Sequence, residues 1–436
     1  MAPPPPQRLF TPLVLLLTTL LFAGAPSAAH HGDAASGLHP VILLPGYSCS
    51  QLDARLTDDY DPPTTGCGVR RQGRGWFRLW ENYTALQADP SLLPCYQDQL
   101  RLVYDRAAGD YRNAPGVKSR VVSFGTTRSF RFDDPAQKNA CMEKLVEALG
   151  GVGYREGANL FGAPYDFRYA PAAPGKAARS FANFRSSLTR LVERASERNR
   201  DRPVILVTHS FGGFYAMEFL NQSPLPWRLR YVKHLVMLSN GVGGSALIMQ
   251  VLASTTGNPL PPPTLRGSVL AFGNRSFATV FSLLPSPKVY GDTPLVITRS
   301  KNYSAYNLPE FLAAVGLSDD EVARYRTRAL PLALNFRAPV VPMTAINGVG
   351  VPTVDKVVYE DGNFTGMPQV VNGDGDGIVN LETVRALERL VGDDPDQRYF
   401  KSVLIPNTTH NGMISDDSAL KTVVKEILEV NQRTSS

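Results

Sequence analysis

Ser210 lies where the sequence pattern most clearly predicts a nucleophile. The segment Val204–Met217 reads VILVTHSFGGFYAM, so an apolar strand pattern ends at this serine and a helical pattern follows it. A strand–turn–helix of this kind is a nucleophile elbow, which exposes a serine hydroxyl on a sharp, strained turn. Gly212 provides a small residue two positions after the serine, whereas Thr208 stands two positions before it in place of the usual glycine. A serine that only capped the helix would need neither the buried strand nor the double glycine.

The base of such a site should be a histidine, because a serine hydroxyl is a weak nucleophile until an adjacent base takes its proton. In sites of this kind the chain order is serine, acid, histidine, with the histidine in the loop after the last strand. His410 fits, because it follows the apolar run Val403–Ile405. The other histidines lie at the N-terminal end (His30, His31), before the first strand (His39), inside the elbow with a side chain expected to point away from that of Ser210 (His209) and within a strand pattern (His234).

The acid that holds the histidine is expected in the segment Val371–Asn380, which reads VNGDGDGIVN. Asp376 is the preferred candidate, because Gly373, Asp376 and Val379 match a Gly-x-x-Asp-x-x-Val spacing; Asp374 is the alternative. The same segment imitates the start of a calcium-binding loop, whose twelfth position should be acidic. That position is Thr383, so we expect no metal here.

Two backbone N–H groups must stabilise the oxyanion that forms when a serine attacks an acyl group. One is usually the residue after the nucleophile, here Phe211, and the other comes from the loop after an early strand. The first strand pattern ends in Pro45-Gly46-Tyr47. We therefore assign the amides of Tyr47 and Phe211 to this role.

Buried-strand patterns alternate with amphipathic helical patterns along much of the chain. The apolar runs are Pro40–Gly46, Ser119–Phe124, Pro203–Val207, Val232–Leu238, Val340–Ile346 and Lys401–Ile405, and the helical stripes lie within Asn139–Leu149 and Ala182–Ala195. Apolar strands that alternate with helices predict an α/β fold with a mainly parallel sheet covered on both faces. Residues 47–118 and 240–338 break the alternation and are interpreted as insertions on a domain that spans residues 36–436.

The N-terminus carries the pattern of a secretory signal. Arg8 precedes an apolar core over 12–22, and small residues follow it, so we predict a signal peptide over residues 1–28. An exported chain meets an oxidising compartment, where cysteines form disulfides. Glycan acceptor patterns begin at five asparagines: Asn82, Asn274, Asn302, Asn363 and Asn407.

The composition and charge of the chain limit which binding partners are expected. A 43% hydrophobic and 19% charged chain is typical of a globular protein and excludes a disordered or collagen-like one. The net charge of +6 is spread along the sequence, which argues against nucleic acid and permits mild attraction to an anionic membrane surface.

The whole pattern resembles the lecithin–cholesterol acyltransferase family, which includes lysosomal phospholipase A and plant acyltransferase-like proteins. The matching stretches are spread over nearly the whole mature chain: PVILLPGYSCSQLDARL from Pro40, FGAPYDFR from Phe161, the elbow, GDGDG from Gly373, and His410. The resemblance implies an α/β-hydrolase fold with a membrane-binding subdomain in the first insertion, 47–118, and a cap in the second, 240–338. It also implies a disulfide between Cys67 and Cys95 and a substrate-side lid role for Trp80. Cys49 either pairs with Cys141 or stays free.

The family resemblance implies that the serine takes an acyl chain from a phospholipid and passes it to a lipid alcohol, such as a sterol. One alternative is a phospholipase A with water as acceptor, and another is a non-catalytic lipid carrier. Neither cofactor nor metal is expected. The expected partners are a phospholipid membrane surface and the lipid substrates, in the endoplasmic reticulum lumen, the vacuole or the extracellular space.

Overall fold

A computed structural model of the chain describes residues 37–433, apart from 65–66, 68–72, 81–87, 133, 135–137, 255–273, 361–363, 365 and 367. The predicted signal peptide therefore lies outside the described residues. Within the described ranges, no helix combines the length and the apolar character needed to cross a membrane.

Six parallel strands form the central sheet, in the order β15-β12-β9-β8-β1-β7. The strands of the described chain are β1 (Val41–Leu44), β2 (Leu52–Leu56), β3 (Phe77–Trp80), β4 (Leu102–Asp105), β5 (Asp110–Asn113), β6 (Val117–Val121), β7 (Leu160–Gly162), β8 (Val204–His209), β9 (Val232–Leu238), β10 (Val296–Thr298), β11 (Asn302–Tyr303), β12 (Met343–Val349), β13 (Thr353–Tyr359), β14 (Gln369–Gly373) and β15 (Phe400–Pro406). The α/β fold class predicted from the alternating pattern is confirmed.

Helices cover both faces of this sheet. The α-helices of the described chain are α1 (Leu93–Leu100), α2 (Glu143–Gly151), α3 (Arg179–Arg198), α4 (Phe211–Asn221), α5 (Leu225–Tyr231), α6 (Leu247–Ser254), α7 (Ala278–Ser282), α8 (Pro287–Tyr290), α9 (Leu308–Ala314), α10 (Asp319–Arg324), α11 (Leu330–Ala333), α12 (Leu381–Leu387), α13 (Gly412–Ser415) and α14 (Asp417–Gln432).

The continuous apolar runs in β1 and β8 follow from burial on both sides. Val41 and Leu43 pack into one cluster with apolar residues of α2 and α14. Ile42 and Leu44 point the other way and pack with residues of α3 and α4. Successive strand side chains face opposite sides, so every position of such a strand must be apolar when both faces are covered.

Two strand assignments differ from expectation. The run predicted at 119–124 belongs to β6, which pairs antiparallel with β2 in a separate three-stranded sheet. Its residues alternate between buried and solvent-facing, with Lys118 and Arg120 exposed, as expected where one face meets water. The sixth central strand is instead β7, whose three residues are too few to give a visible pattern.

The segment interpreted as the first insertion forms a small sheet, β3-β2-β6, and a hairpin, β4-β5. The fully buried guanidinium of Arg168 holds it to the loop after β7. This group pairs with Asp166 at 2.6 Å and donates to the Leu100 carbonyl at 3.0 Å and to Asn113 at 2.9 Å. A buried cation requires such complete pairing, so the hairpin is fixed to the main fold.

The second segment, 240–338, contains α6–α11 together with β10 and β11. Strand β10 pairs with β13, so this segment contributes β10 and β11 to a four-stranded sheet, β11-β10-β13-β14. Arg328 pairs with Asp110 at 3.2 Å and donates to the Gly109 carbonyl at 2.7 Å. These contacts tie the second segment to the hairpin of the first.

Candidate active site

Ser210 occupies the turn between β8 and α4 in a strained conformation. Its φ is 53° and its ψ is −126°, a region that non-glycine residues rarely adopt and that concentrates at functional sites. Its amide donates to the Leu238 carbonyl at 2.9 Å, which fixes the turn against β9. The residue is half-buried, so the serine lies at the edge of the sheet and not within the core.

The elbow needs glycines because backbone and side chains approach it closely. A methyl group at Gly212 would come within 2.5 Å of the Pro45 carbonyl oxygen, so α4 can pack on the end of β1 only without a side chain there. A methyl group at Gly213 would meet Met237 at 2.7 Å and the Thr208 hydroxyl at 3.4 Å. Thr208 therefore fits two positions before the serine because Gly213 leaves it room.

His410 and Asp376 are in direct contact. His410 Nδ1 lies 2.9 Å from Asp376 Oδ2, and the His410 amide donates to the main-chain carbonyl of Asp376 at 2.8 Å. Both residues are buried, with 8% and 2% of their surfaces exposed. The structure thus brings together two of the residues selected from the sequence, although their loops follow different strands.

The Asp376 carboxylate is stabilised as an anion. Oδ1 accepts the amides of Ile378 at 3.0 Å and Val379 at 2.8 Å. Burial by itself would raise the pKa of this carboxyl. The charge and hydrogen bond of His410 and the two amides outweigh burial, so the pKa of Asp376 is lowered. A charged carboxylate here is suited to hold an imidazolium.

Asp374 lies elsewhere. Its side chain is exposed and accepts the Gly350 amide at 2.6 Å, so it holds the turn between β12 and β13. No group of three His, Cys, Asp or Glu side chains suited to a metal ion occurs among the described residues.

His209 connects the elbow with the histidine loop. The sequence predicted only that its side chain points away from that of Ser210. In the structure its Nε2 lies 3.0 Å from the main-chain oxygen of His410, and the two rings have centroids 4.9 Å apart. Burial, with the nearby His410, lowers the pKa of His209 to about 3, so the ring is neutral and donates Nε2–H to that carbonyl. The one sequence feature that could have indicated this role for His209 is its position directly before Ser210.

Among the residues that the structure describes, no hydrogen bond joins the Ser210 hydroxyl to the His410 ring. The two residues are connected instead through His209, which is the chain neighbour of Ser210 and a hydrogen-bond partner of His410. In apo sites such bonds are often long and shorten when substrate binds.

The two amides selected for the oxyanion are free to donate. Within the described ranges, neither the N–H of Tyr47 nor that of Phe211 donates to an intramolecular acceptor. Phe211 is the first residue of α4, where helix amides lack partners. The Tyr165 hydroxyl donates to the Pro45 carbonyl at 2.9 Å and fixes the loop that carries Tyr47. The sequence analysis did not single out Tyr165, although the residue lies within the FGAPYDFR motif.

Trp80 is a packed side chain in this structure. It is 2% exposed, and its indole N–H donates to the Ser48 carbonyl at 2.8 Å. Its ring packs edge-to-face on Phe167, with the ring centroids 5.6 Å apart. The Phe167 ring packs in the same way on Tyr47, with the centroids 5.3 Å apart. Trp80 thus supports the loop around Tyr47, and its lid role stays a prediction. Trp76 is the exposed tryptophan of this segment, at 37%.

Two disulfides join the four cysteines. Cys67 pairs with Cys95, as the family resemblance implied, and Cys49 pairs with Cys141, which was one of two open alternatives. Among the glycan acceptors, Asn302 and Asn407 are exposed. Asn274 begins a short 3₁₀ helix, Asn274–Ser276, whereas Asn82 and Asn363 lie outside the described residues. Glycosylation stays a prediction.

Comparisons with known proteins agree with this geometry. A family model described as "Lecithin:cholesterol acyltransferase" matches residues 76–332, which include Ser210. The chain is 43% identical over 404 residues to Lecithin-cholesterol acyltransferase-like 1 of Oryza sativa subsp. japonica, covering 92% of this chain and 89% of the relative. It is 31% identical over 396 residues to Lysosomal phospholipase A and acyltransferase of Canis lupus familiaris, covering 89% and 91%.

One solved structure, of the Tle4–Tli4 complex, aligns with a TM-score of 0.55 at 13% identity and covers 91% of this chain and 99% of that one. At this identity the likeness concerns the fold alone, which is the α/β-hydrolase fold. The chain therefore belongs to the lecithin:cholesterol acyltransferase family and is a serine-type enzyme of the acyltransferase and phospholipase class.

Proposed function

We propose that the protein transfers a fatty acyl chain from a phospholipid to a lipid alcohol, such as a sterol, through an acyl-enzyme on Ser210. One observation supports this most directly: a strained serine adjoins a residue that is hydrogen-bonded to a buried histidine–aspartate pair. That constellation suits acyl transfer, since it combines a nucleophile, a base and an acid. The names of the relatives support lipids as substrates.

In the first half-reaction, His410 takes the Ser210 proton as Oγ attacks the carbonyl carbon of the phospholipid ester. Negative charge moves to the ester oxygen, where the amides of Tyr47 and Phe211 donate to it. The C–O bond then breaks, His410 returns its proton to the departing lysolipid oxygen, and Ser210 keeps the acyl chain. Asp376 stabilises the imidazolium that exists between the two proton transfers.

In the second half-reaction, His410 takes a proton from the acceptor hydroxyl, whose oxygen attacks the acyl-serine carbonyl. Collapse of the second intermediate breaks the bond to Oγ, and His410 reprotonates the serine. A lipid alcohol as acceptor gives a new ester, whereas water gives a free fatty acid. Hydrolysis is therefore the second candidate activity, and the relative named a phospholipase A and acyltransferase favours keeping it.

The decisive experiment measures products with purified protein. Phospholipid vesicles are supplied with and without a sterol, and both fatty acid and sterol ester are quantified. We expect sterol ester to form when sterol is present, and fatty acid to fall in proportion. Fatty acid as the sole product with every alcohol would establish the phospholipase.

A Ser210→Ala protein should make neither product and should not react with a fluorophosphonate probe, so full activity in that variant would overturn both assignments. Wild-type protein that binds lipid but is inert to the probe would indicate a carrier.

We further propose that the first insertion contacts the membrane surface through Trp76. This ring is 37% exposed and has two guanidinium groups close to it, with Arg120 at 4.3 Å and Arg55 at 5.6 Å from the ring centroid. An interfacial tryptophan beside cations suits a phospholipid surface. Trp76→Ala should reduce vesicle binding, whereas Tyr306→Ala, at an aromatic residue that is 56% exposed, should not. Equal binding by both variants would remove this proposal.

The secretory pathway is the proposed location, since both disulfides fit an oxidising compartment. Immunolocalisation of the full chain would distinguish the endoplasmic reticulum, the vacuole and the extracellular space. A cytosolic protein would contradict the assignment.

A further inference from the structure

We propose that His209 is a positioning residue for His410: its Nε2–H, donated to the main-chain carbonyl of His410, keeps the base beside the nucleophile. The proposal rests on the function proposed above, because it takes Ser210 and His410 as nucleophile and base.

The first step of the argument concerns the distance between the two loops. Ser210 follows β8 and His410 follows β15, and β9 and β12 lie between these strands in the central sheet. No strand pairing joins the two loops, so the sheet alone does not fix how closely they approach. The bond from His209 to the His410 carbonyl crosses this gap at 3.0 Å.

The second step concerns how His410 is held. Its amide donates to the Asp376 carbonyl at 2.8 Å, and its Nδ1 lies 2.9 Å from the Asp376 carboxylate. Both restraints come from the loop that carries Asp376, and a third contact, from the Asn407 amide to the Val349 carbonyl at 2.7 Å, ties the loop of His410 to β12. The bond from His209 is the restraint that comes from the nucleophile's own strand. It therefore links the base directly to the strand that carries the serine.

The third step concerns the rigidity of His209. The residue is 2% exposed, and a methyl group added at Gly46 would come within 2.8 Å of its Nδ1. The ring is thus packed against the loop that carries Tyr47 on one side and bonded to His410 on the other. A side chain fixed in this way can transmit the position of the elbow to the base. Misplacement of a catalytic group by about 1 Å can cost about 100-fold in rate.

The fourth step concerns the charge of the ring. A protonated His209 would repel the imidazolium that forms on His410 during each proton transfer. Its burial lowers its pKa to about 3, which keeps the ring neutral. His209 can therefore hold the base without opposing its charge.

The test compares two amide side chains of different reach. In His209→Gln the side-chain nitrogen occupies the place of Nε2, whereas in His209→Asn it occupies the place of Nδ1 and cannot reach His410. Each protein is titrated with a fluorophosphonate at long reaction times, so that kcat is expressed per reactive serine. We expect His209→Asn to lower kcat about 10- to 100-fold with KM within about twofold, because the base is no longer held in place. His209→Gln should stay within about threefold of wild type, because its side chain keeps a donor at the position of Nε2.

His234 provides the matched control, because it is an equally buried histidine in the neighbouring strand and its Nε2 contacts Thr344 at 2.8 Å, away from the site. His234→Asn should lower stability without changing kcat per reactive serine. If His209→Asn does not fold, His209→Met replaces it in the comparison. The Met side chain is similar in size to Gln but has no N–H to donate. Suppose that Ser210→Ala is inactive, but that His209→Asn or His209→Met keeps the wild-type kcat per reactive serine. This result overturns the role of His209 and leaves the proposed function intact. Equal losses in the Gln and Asn variants also overturn the role of His209, whereas an active Ser210→Ala overturns the proposed function itself.

Discussion

The His410 ring and the Asp376 carboxylate are held together by the backbone as well as by their side chains. The side-chain contact measures 2.9 Å, and the His410 amide donates to the Asp376 carbonyl at 2.8 Å. The orientation of the ring therefore does not depend on the carboxylate alone. What the carboxylate adds is a negative charge and a single tautomer, with the proton on Nδ1 and Nε2 free for the serine.

Replacing Asp376 by Asn should leave the fold intact and reduce activity strongly. The neutral amide no longer stabilises the imidazolium and can favour the wrong tautomer, a change that lowers kcat by about 10⁴-fold in the serine triad used as a template. Asp374→Asn is the matched control, since that side chain is exposed and accepts the Gly350 amide, away from His410. We expect it to stay within about threefold of wild type. Steady-state hydrolysis of one phospholipid by both variants checks this, and a larger loss in Asp374→Asn would reverse the assignment of the acid.

Gly348→Ala should destabilise the protein, because the added methyl group would lie 2.0 Å from the Thr408 carbonyl oxygen. A neighbour that is main chain cannot rotate away, so the loop that carries His410 must shift. We expect a loss of about 3 kcal/mol, at the upper end of overpacking effects. Gly150→Ala is the comparison, since nothing lies within 4 Å of the added group in α2. It should gain about 0.5–1 kcal/mol. Urea unfolding of both variants measures the difference. Equal stabilities would show that the loop that carries His410 can shift without a cost in free energy.

Acidification should destabilise the fold through His234. Its burial, aided by the charges of Arg433 and Lys233, lowers its pKa from 6.5 to about 3. Above pH 6.5 the residue is neutral in both states and has no effect. Below it the unfolded chain takes up a proton that the native state excludes, so stability falls by about 1.4 kcal/mol per pH unit. Between pH 6.5 and 5.0 this amounts to about 2 kcal/mol.

The measurement is the free energy of unfolding of wild type and His234→Gln at both pH values. The variant should lose about 2 kcal/mol less than wild type over this interval. The contribution of His209 is the same in both proteins and cancels. Parallel pH dependences would mean that His234 titrates normally in the native state.

Removing the Cys49–Cys141 disulfide should cost more stability than removing Cys67–Cys95. The first closes a separation of 92 residues and the second one of 28, and loop-closure entropy grows with loop length. The loop model gives about 4.6 and about 3.6 kcal/mol. Cys49 also lies two residues after Tyr47, so its loss should lower kcat as well. Unfolding and activity of the two double-alanine variants test the order, and a greater loss on removing Cys67–Cys95 would contradict it.

The fold class and the candidates at Ser210 and His410 could be predicted from the sequence. Both depend on local patterns: an apolar strand that ends at a serine, a helix after it, and a histidine after the last strand. Such patterns are visible because strand burial and turn chemistry act over a few neighbouring residues. Strand β7 could not be predicted in this way, because three residues are too few to show a periodic pattern. Strand β6 was assigned to the wrong sheet, because a strand pattern does not show which strand it pairs with.

Which groups come into contact depends on how distant segments of the chain pack together. Asp374 and Asp376 are two residues apart and chemically identical, and only the fold brings Asp376 within 2.9 Å of His410. Likewise the pairing of Cys49 with Cys141, the burial of Trp80 and the contact of His209 with the His410 carbonyl join segments that are far apart along the chain. These contacts depend on the packing of whole loops against the sheet, which no local pattern encodes.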